Sequence, residues 1–271
     1  MANRAHTAWS GERAAALAPH LRAWARHRVF FGPVCTPRRL AEAAAHATAA
    51  LVEGPAPEET PPHCRVIAQA AGDWSSYRFP HGHRDPMRRG MLNPGFLHAE
   101  TIARGCLEQL PASVQTVVLP VARVYPTEAY TAADFLEQLT RTLGGLPRGR
   151  RYAVQVRNAG FLLPAYFACL REQGALHVLH EAPELPPLIE QVLQPGVWEG
   201  EGALLRLAPG GGGETALAVL EAVRRSVEAG RELAVLFGEE ADGEGIGVLE
   251  TVMGMLDPDL ARLSPFKQRA A

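Results

Sequence analysis

Two short segments carry polar residues whose types and spacing could do chemistry. Gln155, Arg157 and Asn158 follow the apolar start YAV, and His180 and Glu181 follow LHVL. Each group stands where a strand-like pattern ends, and between them lies a helix-like stretch opened by Pro164 and closed by Gly174. A parallel strand–helix–strand unit opens both strand exits on one face, where α/β proteins place ligands. With Arg206, inside a later run LLRL, the set comprises two guanidinium groups, two amides and one imidazole. Guanidinium forks suit an anion, and His180 is the candidate catalytic base. The set lacks the paired carboxylates of glycoside hydrolysis. It also lacks a carboxylate to orient His180, unless Glu181 or Glu184 folds back.

The elements that must position these residues recur along the chain. Seven apolar, largely β-branched runs read as strands: Arg28–Phe31, Cys64–Ala70, Gln115–Pro120, Tyr152–Arg157, Ala175–His180, Ala203–Leu207 and Leu233–Phe237. Arg4–Ala8 is a weaker eighth. The runs do not alternate apolar with polar, as expected when helices cover both faces of a parallel sheet. Between them, Thr131 can cap a helix over Ala132–Leu143, with Asp134 completing part of a capping box. Another helix runs from Glu214 to Gly230, with Leu217, Leu220, Val223 and Val227 expected inward. Eight strands, each trailed by a helix, predict a single-domain (β/α)8 barrel spanning the 271 residues. An open doubly wound parallel sheet is the alternative. A Pro- and Glu-rich connector, Ala56–Pro62, precedes the third strand, and a long loop, Gly72–Gly95, follows it.

Composition narrows the function classes. A formal charge of −2 gives no global pull toward nucleic acid or membrane, although Lys267 is the only lysine among 27 cationic residues. The arginine excess is read first as coding bias and second as anion recognition. Cys35, Cys64, Cys106 and Cys169 are scattered without a C-x-x-C pair, so neither a zinc site nor a disulfide framework is indicated. No secretory or membrane-spanning run is found, and a reducing cytoplasm fits best.

The strands YAVQVRN and LHVLHEAP, the PPL that follows, then LLRL and LAVLF resemble the YecE-like proteins, a bacterial barrel family of unassigned function. The resemblance is clearest over Tyr152–Leu207, extends from Asn93-Pro94-Gly95-Phe96-Leu97 to about Leu256, and includes Trp9-Ser10. It implies a (β/α)8 fold and a pocket at the strand exits. Where the family carries Glu-x-Arg-His, this chain has Gln155, Arg157 and Asn158; where it carries Asp, this chain has His180. The family's next arginine is matched by Arg206, while Gln69 and Gly238 replace its Lys and its Asn or His. Glutamate to glutamine removes a base while keeping the shape, so the arginines persist where the carboxylates do not.

Other features are weaker. The loop DWSSYRFPHGHRDPMRR interleaves Arg78, Arg84, Arg88 and Arg89 with aromatics, a nucleic-acid pattern that also describes an ordinary solvated loop. His81, His83 and Asp85 within it make a poor metal site. Pro209–Gly213 precedes a helix where many barrels hold phosphate, but Glu214 would repel that guest. Glu239, Glu240, Asp242 and Glu244 match no calcium-loop spacing. The expectation is therefore a barrel without metal or cofactor, binding a small anionic or polar ligand through Gln155, Arg157, Asn158, His180 and Arg206. It reads as a degenerate enzyme. The alternatives are an active hydrolase or isomerase on a phosphorylated or sugar-like substrate, and a protein–protein scaffold.

Overall fold

The computed structural model of the protein describes residue 9 and residues 11–55, 57–125, 127–208, 212–238 and 244–263, with the side chains of 246–256 in the last segment. Helix α1 (Glu12–Ala25) leads into β1 (Val29–Cys35), α2 (Leu40–Ala43), β2 (Ala49–Val52), β3 (Arg65–Gln69) and α3 (Ala99–Gly105). There follow β4 (Thr116–Val121), α4 (Ala132–Gly145), β5 (Arg151–Val156), α5 (Pro164–Glu172), β6 (Leu176–His180) and α6 (Leu188–Leu193). The chain continues through β7 (Gly202–Leu207), α7 (Gly213–Glu228), β8 (Glu232–Phe237) and α8 (Glu244–Leu263). The strands pair in chain order into one closed parallel barrel, with β8 returning to β1 so that Val29 faces Leu233 and Pro33 faces Phe237. This is the expected (β/α)8 architecture, and closure rules out the open sheet.

One strand differs from expectation. Arg4–Ala8 lies outside the described residues, and the remaining barrel strand is β2, Ala49–Val52. Its alanines favour helix intrinsically, which hides the strand from a reading of periodicity. The packing against it explains Gly32 of β1, where a Cβ would come within 1.5 Å of the Ala49 carbonyl oxygen. Strands β1 and β2 therefore approach too closely for bulk at that level. No helix is found among the described residues between β2 and β3, so the strict strand–helix alternation fails there.

The two-residue period of a strand divides each barrel strand into an outward set packed under the helices and an inward set. The inward cluster is apolar at mid-height: Phe30, Val34, Leu51, Ile67, Val118, Ala153, Val178, Leu204 and Leu236 are buried against one another. Polar side chains continue the same inward rows at both ends. Gln155, two residues beyond Ala153, and His180, two beyond Val178, stand at the C-terminal end. Arg151 and Glu232, two residues before Ala153 and Ala234, stand at the N-terminal end.

Local signals act as read from sequence in several helices. Thr131 and Asp134 form a reciprocal capping box on α4, whose Phe135, Leu139 and Leu143 are buried. Pro164 opens α5, and Gly174 follows it with a left-handed φ of 63°. In α7, Leu217 points outward at 55% exposure, contrary to expectation. The inward stripe runs through Ala216, Val219 and Val223; small residues there let α7 lie close to the barrel. The 72–95 loop folds on itself around Asn93, whose Nδ2 donates to the carbonyls of Asp73 (2.6 Å) and Ser76 (3.0 Å).

Candidate functional site

The C-terminal mouth of the barrel holds a cavity of about 410 Å³, within the range of small-molecule sites. Four of the five residues singled out from sequence line it: Gln155, Arg157, His180 and Arg206. The register explains this, since His180 and Arg206 are direct partners across β6 and β7. Asn158 is directed elsewhere. Its side chain accepts from the Val124 amide at 2.9 Å and donates to the Val124 carbonyl at 2.7 Å, clamping the loop after β4.

His180 is only 4% exposed. Burial pushes its pKa down to about 4; the Val178 carbonyl raises it, the Arg157 and Arg206 cations lower it further, and Glu184 raises it slightly. The ring is neutral at pH 7. Nδ1 lies 3.3 Å from the Val178 carbonyl, an acceptor that places the proton on Nδ1 and leaves Nε2 with a lone pair. That Nε2 is buried without a hydrogen-bond partner among the described residues, and so is Oε1 of Gln155. Two buried acceptors without donors are costly, at about 1–3 kcal/mol each. Gln191 of α6 fixes the strand end beneath the ring, its Nε2 donating to the carbonyls of His180 (3.0 Å) and Pro186 (2.8 Å).

The mouth also contains two carboxylates. Glu53, at the exit of β2, pairs with Arg206 at 2.5 Å, and Arg206 also donates to Gln69 Oε1 at 2.8 Å. Glu181 does fold back into the cavity lining, but it accepts from the Ala208 amide (2.9 Å) and the Thr215 hydroxyl (3.1 Å), tying β6 to the start of α7. Glu184 pairs with Arg123 at 3.0 Å. The lining is thus two arginines balanced by two glutamates. Arg157 is exposed and has no hydrogen-bond or ion-pair partner among the described residues. Of these residues, Glu53 and Gln191 escaped sequence reading, and Gln69 entered it only as the position where the resembled family carries lysine.

The weaker motifs resolve into local structure. Trp74 and Phe79 of the arginine-rich loop are buried, at 2% and 8% exposure, so their faces are not offered for stacking. Arg78 pairs with Glu128 at 2.7 Å, and Arg89 donates to the His83 carbonyl. His83 is buried against Asp73 through Nε2 (3.0 Å), with Nδ1 at the Asp85 backbone. Among the described residues no three His, Cys, Asp or Glu side chains group as metal ligands. Residues 209–211 of the Pro-Gly run, and Glu239, Glu240 and Asp242, lie outside the described residues, as do the Glu244 side chain and Ser10. No helix among the described residues is long and apolar enough to cross a membrane.

Neither a protein-family model nor a curated protein matches the chain. Solved structures do. A DUF72 family protein of Thermotoga maritima MSB8 is similar with a TM-score of 0.54 at 15% identity, over 85% of this chain and 100% of that one. A DUF72 family protein of Enterococcus faecalis V583 is similar with a TM-score of 0.50 at 15% identity, over 85% of this chain and 99% of that one. DUF72 is the YecE-like family. At this identity the likeness establishes the barrel fold.

Proposed function

We propose that the chain is a divergent YecE-like barrel that binds, without turning over, a small polar ligand carrying one anionic group and at least one hydroxyl or amine donor. The carrying observation is the pair of buried acceptors, Gln155 Oε1 and His180 Nε2, left without donors in a cavity that Arg157 also lines. A ligand hydroxyl or amine satisfies the acceptors, and an anionic group satisfies the Arg157 guanidinium, which has no partner among the described residues. The fold likeness and the strand residues quoted above support the family. The absence of turnover is argued from chemistry: Gln155 cannot ionise, and His180 leans on a backbone carbonyl where an activated base would have a carboxylate. Arg206 is already occupied by Glu53, so Arg157 is the principal anion contact.

A thermal-shift screen with hydroxy-carboxylates and sugar phosphates, at constant ionic strength, tests this reading. Ligand binding to the native state raises the melting temperature. The expected result is a shift in the wild type that disappears in Arg157→Ala. Shifts from neutral sugars that persist in that variant would sink the anion claim. Turnover of any ligand, lost in His180→Ala while binding persists, would establish the enzyme reading instead.

A further inference from the structure

The opposite end of the barrel carries a second polar layer. Glu232, at the start of β8, is 5% exposed and meets three guanidinium groups: Arg151 at 2.6 Å, Arg65 at 2.7 Å and Arg28 at 3.6 Å. These arginines belong to β5, β3 and the turn before β1, and Glu232 is the only carboxylate within ion-pair reach of Arg65 or Arg151 among the described residues. One carboxylate cannot neutralise three guanidinium groups, so among the described residues the cluster of Glu232 with Arg28, Arg65 and Arg151 carries two positive charges in excess.

Arg65, Arg151 and Glu232 line a partly open cavity, whose wall therefore carries one positive charge in excess, while Arg28 stands outside the lining. That cavity, of about 240 Å³, is also lined by Thr116, Ser113 and Gln115, with Pro61 and Pro62 of the β2–β3 connector as a stiff wall. The guanidinium of Arg65 lies 4.1 Å above the Phe30 ring, which orients its fork. Arg65 reaches Glu232 through Nη1, while Arg151 uses Nη2 for Glu232 and for Thr116 at 3.4 Å. The Nε and second terminal nitrogen of each make no hydrogen bond among the described residues. The volume falls below the span typical of drug-sized ligands, so the guest is small.

We propose that this N-terminal cavity is a second ligand site, taking a small oxyanion of the phosphate or carboxylate class between Arg65 and Arg151, beside Glu232. Glu232 holds the two forks apart in a fixed geometry, and the excess charge attracts the guest. The site is independent of the mouth, at the far end of the apolar rows.

Calorimetric titration of the full chain with inorganic phosphate and with malonate, at constant ionic strength, tests it. Saturable binding of at least one probe is expected, weakened about tenfold or more by Arg65→Gln, the scale of a lost charge-assisted hydrogen bond, and retained in Arg157→Ala. Arg65→Gln leaves Glu232 paired with Arg151. Glu232→Gln gives a second reading, because removing the resident anion should tighten binding severalfold. No saturable binding by the wild type overturns the proposal. So does binding untouched by Arg65→Gln, or binding abolished by Arg157→Ala alone, which places the anion at the mouth.

Discussion

Arg206, near the end of β7, pairs across the barrel mouth with Glu53, at the exit of β2, at 2.5 Å. The two mouth arginines are therefore unequal: one is neutralised inside the protein, and Arg157 is exposed with no partner among the described residues. Glu53 is then a competitor for any anionic ligand. Glu53→Gln should raise anion affinity about fivefold, corresponding to the ~1 kcal/mol of a partly exposed charge interaction. Comparison of dissociation constants for the wild type and the variant checks this, and unchanged affinity would mean that Arg206 takes no part.

Arg157→Ala should weaken anion binding by roughly 1.5–3 kcal/mol, the range for hydrogen bonds to charged groups, with the melting temperature of the unliganded protein nearly unchanged. Gln155→Glu should also lower anion affinity, because it sets a negative charge beside the guest. The combination separates recognition from folding, since Arg157 is exposed while Gln155 is buried. An Arg157→Ala protein that melts well below the wild type would show a structural role instead.

The site was legible in sequence as far as strand parity reached. Gln155, Arg157 and His180 end runs whose period-two rows point into the barrel, so their convergence follows from pattern alone. Asn158 failed because it sits one position past Arg157, off that row, and turns to the Val124 backbone. Glu53 was hidden for a different reason. It follows β2, whose alanines resemble helix, and an unrecognised strand conceals the residue at its exit. The Glu232 cluster joins β3, β5, β8 and the turn before β1, and only barrel closure brings these together.

The Gly32 contact is itself testable. A methyl group there would lie 1.5 Å from the Ala49 carbonyl oxygen and 3.2 Å from the Ala47 Cβ, so β1 and β2 would have to separate. Gly32→Ala should destabilise by at least about 2 kcal/mol, as overpacking does in a close-packed interior. Gly160→Ala, where nothing lies within 4 Å, provides the matched control. Denaturant midpoints of the two variants check the difference, and equal midpoints would show that the strands can part without cost.

Two buried histidines set a pH dependence of stability. His177 lies on the outer face of β6 against Tyr166, whose hydroxyl is 2.9 Å from Nδ1, and burial pushes its pKa down to about 3. That of His180 falls to about 4, again mainly by burial. Both stand well below the ordinary 6.5. In the window between, the unfolded chain binds protons that the folded protein excludes, so stability rises with pH and is lost as pH falls through 6.5 toward the folded values. Each histidine should cost about 1.6 kcal/mol between about pH 6.5 and pH 5, where most carboxylates remain ionised. Urea unfolding across that range should show the decline, and His180→Asn should remove about half of it. A flat profile in the wild type would mean that these rings take up protons in the folded state, and with them the neutral acceptor at the mouth would be lost.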